Sequence, residues 1–174
     1  MKKLLSAVLA AVLSFGGVAA VSASQAPGDT ISRGAFVALL YQELGLTGDP
    51  QDTPFDDVTA ASPYSAAIAW AERTGIVRGD GAGRFFPQDP LTREQAATIM
   101  LNFANFSGTG PSGNWQVPLS VRDLAEVSEW AHEGLMFSRI NFFIGETSAA
   151  GFNPQGSVTN AEGAEWITLL LALE

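Results

Sequence analysis

The chain has 174 residues, 18 acidic against nine basic, one histidine and no cysteine, and 47% of it is hydrophobic. That length suits one compact domain or a tandem of small units, and a formal charge of −9 argues against nucleic acid, whose phosphates need clustered Lys and Arg. Without cysteine there is no disulfide framework, thiol nucleophile or thiolate metal site, and His132 alone supplies neither a His-rich metal site nor a Ser-His-Asp arrangement.

The chain opens on Lys2 and Lys3, followed by an uncharged apolar run from Leu4 to Val21 and then small residues. This order predicts a signal peptide over residues 1–26, cleaved after Ala23 or Ala26, and hence a secreted protein. The alternative is an uncleaved membrane anchor, since about 18 apolar residues just span a bilayer; Ser14, Gly16 and Gly17 favour cleavage. After cleavage no transmembrane segment is expected. Both lysines of the chain lie in this segment, so the remainder carries seven arginines against 18 carboxylates, a net charge of −11.

Self-similarity organises the remainder of the chain. Asp57-Val58 recurs 66 residues later as Asp123-Leu124, and the same offset relates Tyr64 to Trp130, Gly79 to Gly145 and Asp80 to Glu146. After a one-residue insertion, Phe85-Phe86-Pro87-Gln88 returns as Phe152-Asn153-Pro154-Gln155 and Leu91-Thr92 as Val158-Thr159. Ile31-Ser32-Arg33 matches Leu91-Thr92-Arg93, so three copies of a terminal helix accompany two copies of the segment before it. The implied units are a partial copy with its linker (27–54), a full copy with its linker (55–113) and a diverged copy (114–174).

The elements read as helices throughout. Phe36, Leu39, Leu40 and Leu44 share one helical face, as do Ala96, Ile99, Met100 and Phe103, and then Trp166, Leu169, Leu170 and Leu173. Further helices are predicted near 64–74 and 125–139, each running into a short apolar stretch and a Gly-rich loop. Thr92 with Gln95 and Thr159 with Glu162 fit the capping box; Ser32 can cap the first helix, where Ala35 cannot complete the box. The prediction is an all-α fold in which three matching helices pack with pseudo-threefold symmetry.

Arg33 and Arg93 stand at the first position of their helices, where the macrodipole makes a cation mildly unfavourable. Two explanations remain open. Each arginine pairs with an internal carboxylate such as Asp57 or Asp89, or guanidinium, dipole and helix amides converge on a bound carboxylate or phosphate.

Phe55-Asp56-Asp57-Val58, then Tyr64 with Ala67-Ile68, then Gly75-Ile76-Val77-Arg78-Gly79-Asp80-Gly81, then Phe85-Phe86-Pro87 and Leu91-Thr92-Arg93-Glu94 together resemble an S-layer homology (SLH) repeat, whose signature ends in a Thr-Arg-Ala-Glu-like tetrad. The resemblance spans essentially all of the chain after residue 26. It implies a three-pronged helical unit on the bacterial cell surface that binds secondary cell-wall polysaccharide, often bearing a pyruvate ketal, in grooves between prongs. On that resemblance the glycan-binding residues are Arg33, Arg93 and the loop Gly79, Asp80 and Gly81. The tetrad arginine is replaced by Asn160 in the third copy, and its glutamate by Ala35 and Gln95 in the first two. The resemblance implies binding without catalysis, no cofactor, and a protein cargo held as a further domain or a partner. The alternative is an interaction module that kept this fold and lost the glycan.

Other signals are weaker. Trp115, beside the Gly-rich linker, is a candidate sugar platform, whereas Trp130 and Trp166 fall on helical apolar faces and are expected in the core. Arg78-Gly79-Asp80 falls where the repeat demands a Gly-Asp loop, and the loop lacks the spaced carboxylates of an EF-hand. His132 reads as solvated or capping. Asp56, Asp57 and Asp123 would be the carboxylates of a glycosidase, but their repeated positions read as helix caps.

Overall fold

The computed structural model describes residues 28–112, 122–141, 143 and 151–173. The predicted signal segment, Trp115, Gly145 and Glu146 lie outside the described residues. Five helices follow in order: α1 (Arg33–Glu43), α2 (Ser65–Arg73), α3 (Arg93–Ser107), α4 (His132–Ile140) and α5 (Asn160–Leu171). Among the described residues there is no strand, only three isolated bridges, and no helix is long and apolar enough to cross a membrane.

The three matching helices start as expected. Ser32, Thr92 and Thr159 each accept from the N3 amide of their helix, and α3 and α5 carry the full capping box through Gln95 and Glu162. The residue before each cap joins a closed ring of backbone hydrogen bonds. Ile31 donates to the carbonyl of Val158, Val158 to that of Leu91, and Leu91 to that of Ile31, each at 2.9 Å. All three side chains are buried, so the ring satisfies backbone groups that burial would otherwise leave unpaired. The apolar faces of α1, α3 and α5 converge beside it around Phe36, Leu40, Met100, Phe103, Trp166 and Leu170.

α1 packs on α2 and α3 on α4, whereas α5 meets only α1 and α3 among the described elements. The α3–α4 contact is close: a Cβ on Gly134 would lie 2.8 Å from the backbone of Ala97 and Thr98. Because α5 has no outer helix, two residues of its predicted face, Leu169 and Leu173, are exposed. Buried Glu94 ties the third copy to α3, accepting from the amide and hydroxyl of Ser128 and from the Gln155 side chain.

The segment predicted as one helix over 125–139 is instead two 3₁₀ turns, Leu124–Glu126 and Glu129–Ala131, followed by α4. This shift turns Trp130 outward, to 56% exposure. A 3₁₀ turn has three residues per turn, so the 3.6-residue periodicity that assigned Trp130 to the core does not hold there. Trp166, on a regular α-helix, is buried as expected.

Candidate functional site

The loops that meet the helix starts are built by aspartates. Asp57 accepts from the amides of Phe85 and Phe86, and Asp123, its counterpart one repeat later, from those of Phe152 and Asn153. Each clamp holds a non-glycine residue in the left-handed region, Phe86 at φ 59° and Asn153 at φ 54°. Neither carboxylate is the helix cap expected from sequence; Asp123 precedes a 3₁₀ turn without capping it through its side chain. Burial raises the Asp123 carboxyl, but the two loop amides and Arg93 outweigh it and hold the group below the ordinary aspartate value. Both oxygens of each clamp being committed to amides, a paired-carboxylate catalytic role has no structural support at these residues.

The clamped loops deliver carbonyls to the helix starts. Arg33 and Gly34 amides donate to the carbonyls of Asp89 and Pro87, Arg93 and Glu94 amides to those of Gly156 and Pro154, and the Asn160 amide to that of Asp29. With N3 capped as well, the first-turn amides of α1 and α3 are already bonded. The anion site imagined from free helix amides is therefore absent, and what remains for an anion is the guanidinium.

The two arginines share a setting and differ in their partners. Arg33 is half-buried with its guanidinium carbon 4.4 Å from the centre of the Phe85 ring, and its Nη2 donates to the Arg78 carbonyl at 2.6 Å. Its Nε is buried with no hydrogen-bond partner. Arg93 is 5% exposed. Its Nε donates to the Phe152 carbonyl at 2.7 Å, its Nη1 lies 3.2 Å from Glu162 Oε1, and its guanidinium stacks between the rings of Phe152 and Trp166. Burial lowers both arginine pKa values while neighbouring carboxylates raise them, with a net decrease. Both groups stay charged at neutral pH, since an arginine starts above 12. Arg93 has thus taken the internal-pair alternative, with Glu162 rather than Asp57 or Asp89.

Arg33 opens into a cleft of about 660 Å³. Gly79 and Asp80 line one wall, Gln95, Ile99 and Asn102 of α3 another, and Trp130 stands at the cleft as well. Gly79 is required where it is: a Cβ there would lie 2.6 Å from the Arg84 carbonyl oxygen and 2.7 Å from the Phe55 ring. Asp80 is exposed and its Oδ1 accepts from the amides of Ala82 and Arg84; the Arg84 amide, then the Ala82 amide, hold its carboxyl below the ordinary value. Gly81, at φ 82°, turns the loop without lining the cleft. So the cleft unites Arg33, Gly79 and Asp80 from the expected set, adds Trp130 and Gln95, and excludes Arg93. His132 lies with Nε2 3.3 Å from the Val127 carbonyl oxygen.

A family model for the S-layer homology domain matches residues 54–97. Exoglucanase XynX of Acetivibrio thermocellus is 30% identical over 146 residues, covering 83% of this chain and 13% of that protein. A surface-layer 125 kDa protein of Lysinibacillus sphaericus is 30% identical over 141 residues, 79% of this chain and 11% of the relative. The S-layer protein EA1 of Bacillus anthracis is 27% identical over 146 residues, 82% and 16%. The chain therefore spans only a small part of the length of the curated relatives it matches.

Proposed function

Residues 54–97 form an S-layer homology domain, generally a cell-wall anchoring module, and from that premise we propose that this chain is a secreted, non-catalytic surface module that binds an acidic cell-wall polysaccharide. The ring of hydrogen bonds joining Ile31, Leu91 and Val158 supports a pseudo-threefold hub from which the three helix starts present their grooves. The observation that carries the reading is Arg33, a partly buried cation whose Nε lacks a partner, in the same cleft as an exposed tryptophan. A carboxylate such as a pyruvate ketal would accept from the guanidinium, and the Trp130 face would pack on the sugar ring. Gly79 and Asp80 shape the facing wall, Gly81 sets its turn, and Trp115 is retained on sequence grounds as a second sugar platform. Such binding would anchor this chain, or a protein cargo attached to it, to the bacterial envelope.

Sedimentation with purified wall polysaccharide tests this directly. Wild type should co-sediment, and Arg33→Ala should weaken binding about tenfold or more, the equivalent of one charge-assisted hydrogen bond; unchanged binding would remove the site. A second reading, a protein-interaction module without glycan binding, draws on Asn160 replacing the third arginine and on Glu162 occupying the second. Chemically depyruvylated wall separates the two, because only the glycan reading predicts loss of co-sedimentation.

A further inference from the structure

The three helix starts carry different residues at one structural position. Where α1, α3 and α5 follow one another, the N1 residue of one helix faces the N3 residue of the next. Arg93 at N1 of α3 meets Glu162 at N3 of α5 at 3.2 Å. Arg33 at N1 of α1 shares its cleft with Gln95 at N3 of α3. In the third pairing Asn160 stands at N1 of α5 and Ala35 at N3 of α1, with no charge on either.

Gln95 and Glu162 perform the same capping task. Each uses one side-chain oxygen to accept from the backbone amide of its N-cap residue, Thr92 or Thr159. The second head-group atom is what differs. In Glu162 it is Oε1, an anion that accepts from Arg93. In Gln95 it is an amide nitrogen, a donor that cannot accept from a guanidinium. The N7 residue reinforces the contrast: Trp166 lies 5.3 Å from the Arg93 guanidinium carbon, whereas the equivalent Ile99 lines the open cleft. Three aspartates lie near Arg33, but none pairs with it within 4.0 Å. Asp57 is committed to two loop amides and Asp80 Oδ1 to two more.

We propose that the N3 residue of the following helix gates each arginine, Gln95 leaving Arg33 open to one ligand carboxylate and Glu162 closing Arg93 as an internal substitute for that carboxylate, so that the chain binds one acidic glycan. This inference rests on the glycan reading above and specifies its stoichiometry. The capping box tolerates either residue within this same chain, so Gln95→Glu and Glu162→Gln should both fold, which thermal melts verify.

The test titrates wild type, Gln95→Glu, Glu162→Gln and the double variant with a methyl hexopyranoside carrying a pyruvate ketal, and separately with sodium pyruvate, reading the Nε–Hε NMR peaks of Arg33 and Arg93. Wild type should shift only Arg33, and Gln95→Glu neither arginine, its affinity about tenfold or more weaker. Glu162→Gln should shift both, and the double variant only Arg93. Glycoside-induced shifts of Arg93 in wild type, an unchanged Arg33 titration in Gln95→Glu, or a silent Arg93 in Glu162→Gln would each overturn the gate. If pyruvate reproduces the pattern while the glycoside moves nothing, the glycan reading falls and the gate stands; if neither probe moves any peak, both fall.

Discussion

Arg33 and Arg93 occupy equivalent positions in two copies of one motif, and each lies against the phenylalanine that opens the next loop, Phe85 or Phe152. Around Arg93 the fold closes: a carboxylate, a carbonyl and an indole take up the guanidinium, leaving 5% of the residue exposed. Around Arg33 it stays open, with a bonded Nη2, an unbonded Nε and a cleft in front. The contrast teaches that a repeated motif does not repeat a function. Each site is assembled across copies, so a change in the next copy alters a site while leaving its own motif intact.

Stability measurements can break that comparison. The largest difference is expected between Arg93→Ala and Arg33→Ala in denaturant melts. Arg93→Ala should cost about 2–4 kcal/mol, mostly from packing lost between Phe152 and Trp166; Glu162 keeps 37% of its side-chain exposure, so screening reduces the ion-pair share. Arg33→Ala should cost about 1 kcal/mol or less. Equal losses would mean that both arginines are structural.

The aspartate clamps rank second and should behave alike in the two copies. Asp57→Ala and Asp123→Ala each release two loop amides, and each should cost about 2–3 kcal/mol. For Asp123 the folded-state pKa lies below the ordinary value. Its stabilisation is therefore present above the unfolded pKa of about 4 and fades as pH falls through the lower folded value. Acid unfolding of wild type below about pH 4 should show this loss, and Asp123→Asn should remove that part of the pH dependence.

Smaller effects sharpen the contrast among helix starts. Thr92→Ala and Thr159→Ala should each cost about 1–2 kcal/mol, because they dismantle a capping box, and Ser32→Ala about 0.5–1 kcal/mol, because α1 has the single cap bond. The smallest effect has the opposite sign. Phe86 and Asn153 hold the same left-handed backbone, which asparagine tolerates better, so Phe86→Asn should raise stability by up to about 1 kcal/mol in thermal melts.

Much of the fold was legible in the chain before any coordinates. The helix starts at Ser32, Thr92 and Thr159, the capping boxes, the buried faces of α1 and α3 and the Gly-Asp loop all follow from residues within one turn of each other, where backbone geometry alone sets the spacing. The periodicity argument failed at Trp130 because the local helix type changed, and in part at α5 because no outer helix covers Leu169 and Leu173. The clamps of Asp57 and Asp123 were visible as repeated positions, but their partners lie 28 to 30 residues away, beyond any local rule.

The sequence by itself determined that the chain is a repeat of capped helices with few cations, two of them at matching helix starts. Only the tertiary structure decided which cation is available. Arg93 and Glu162 are 69 residues apart, and a charge is neutralised by what packs within a few ångströms of it, not by what neighbours it along the chain.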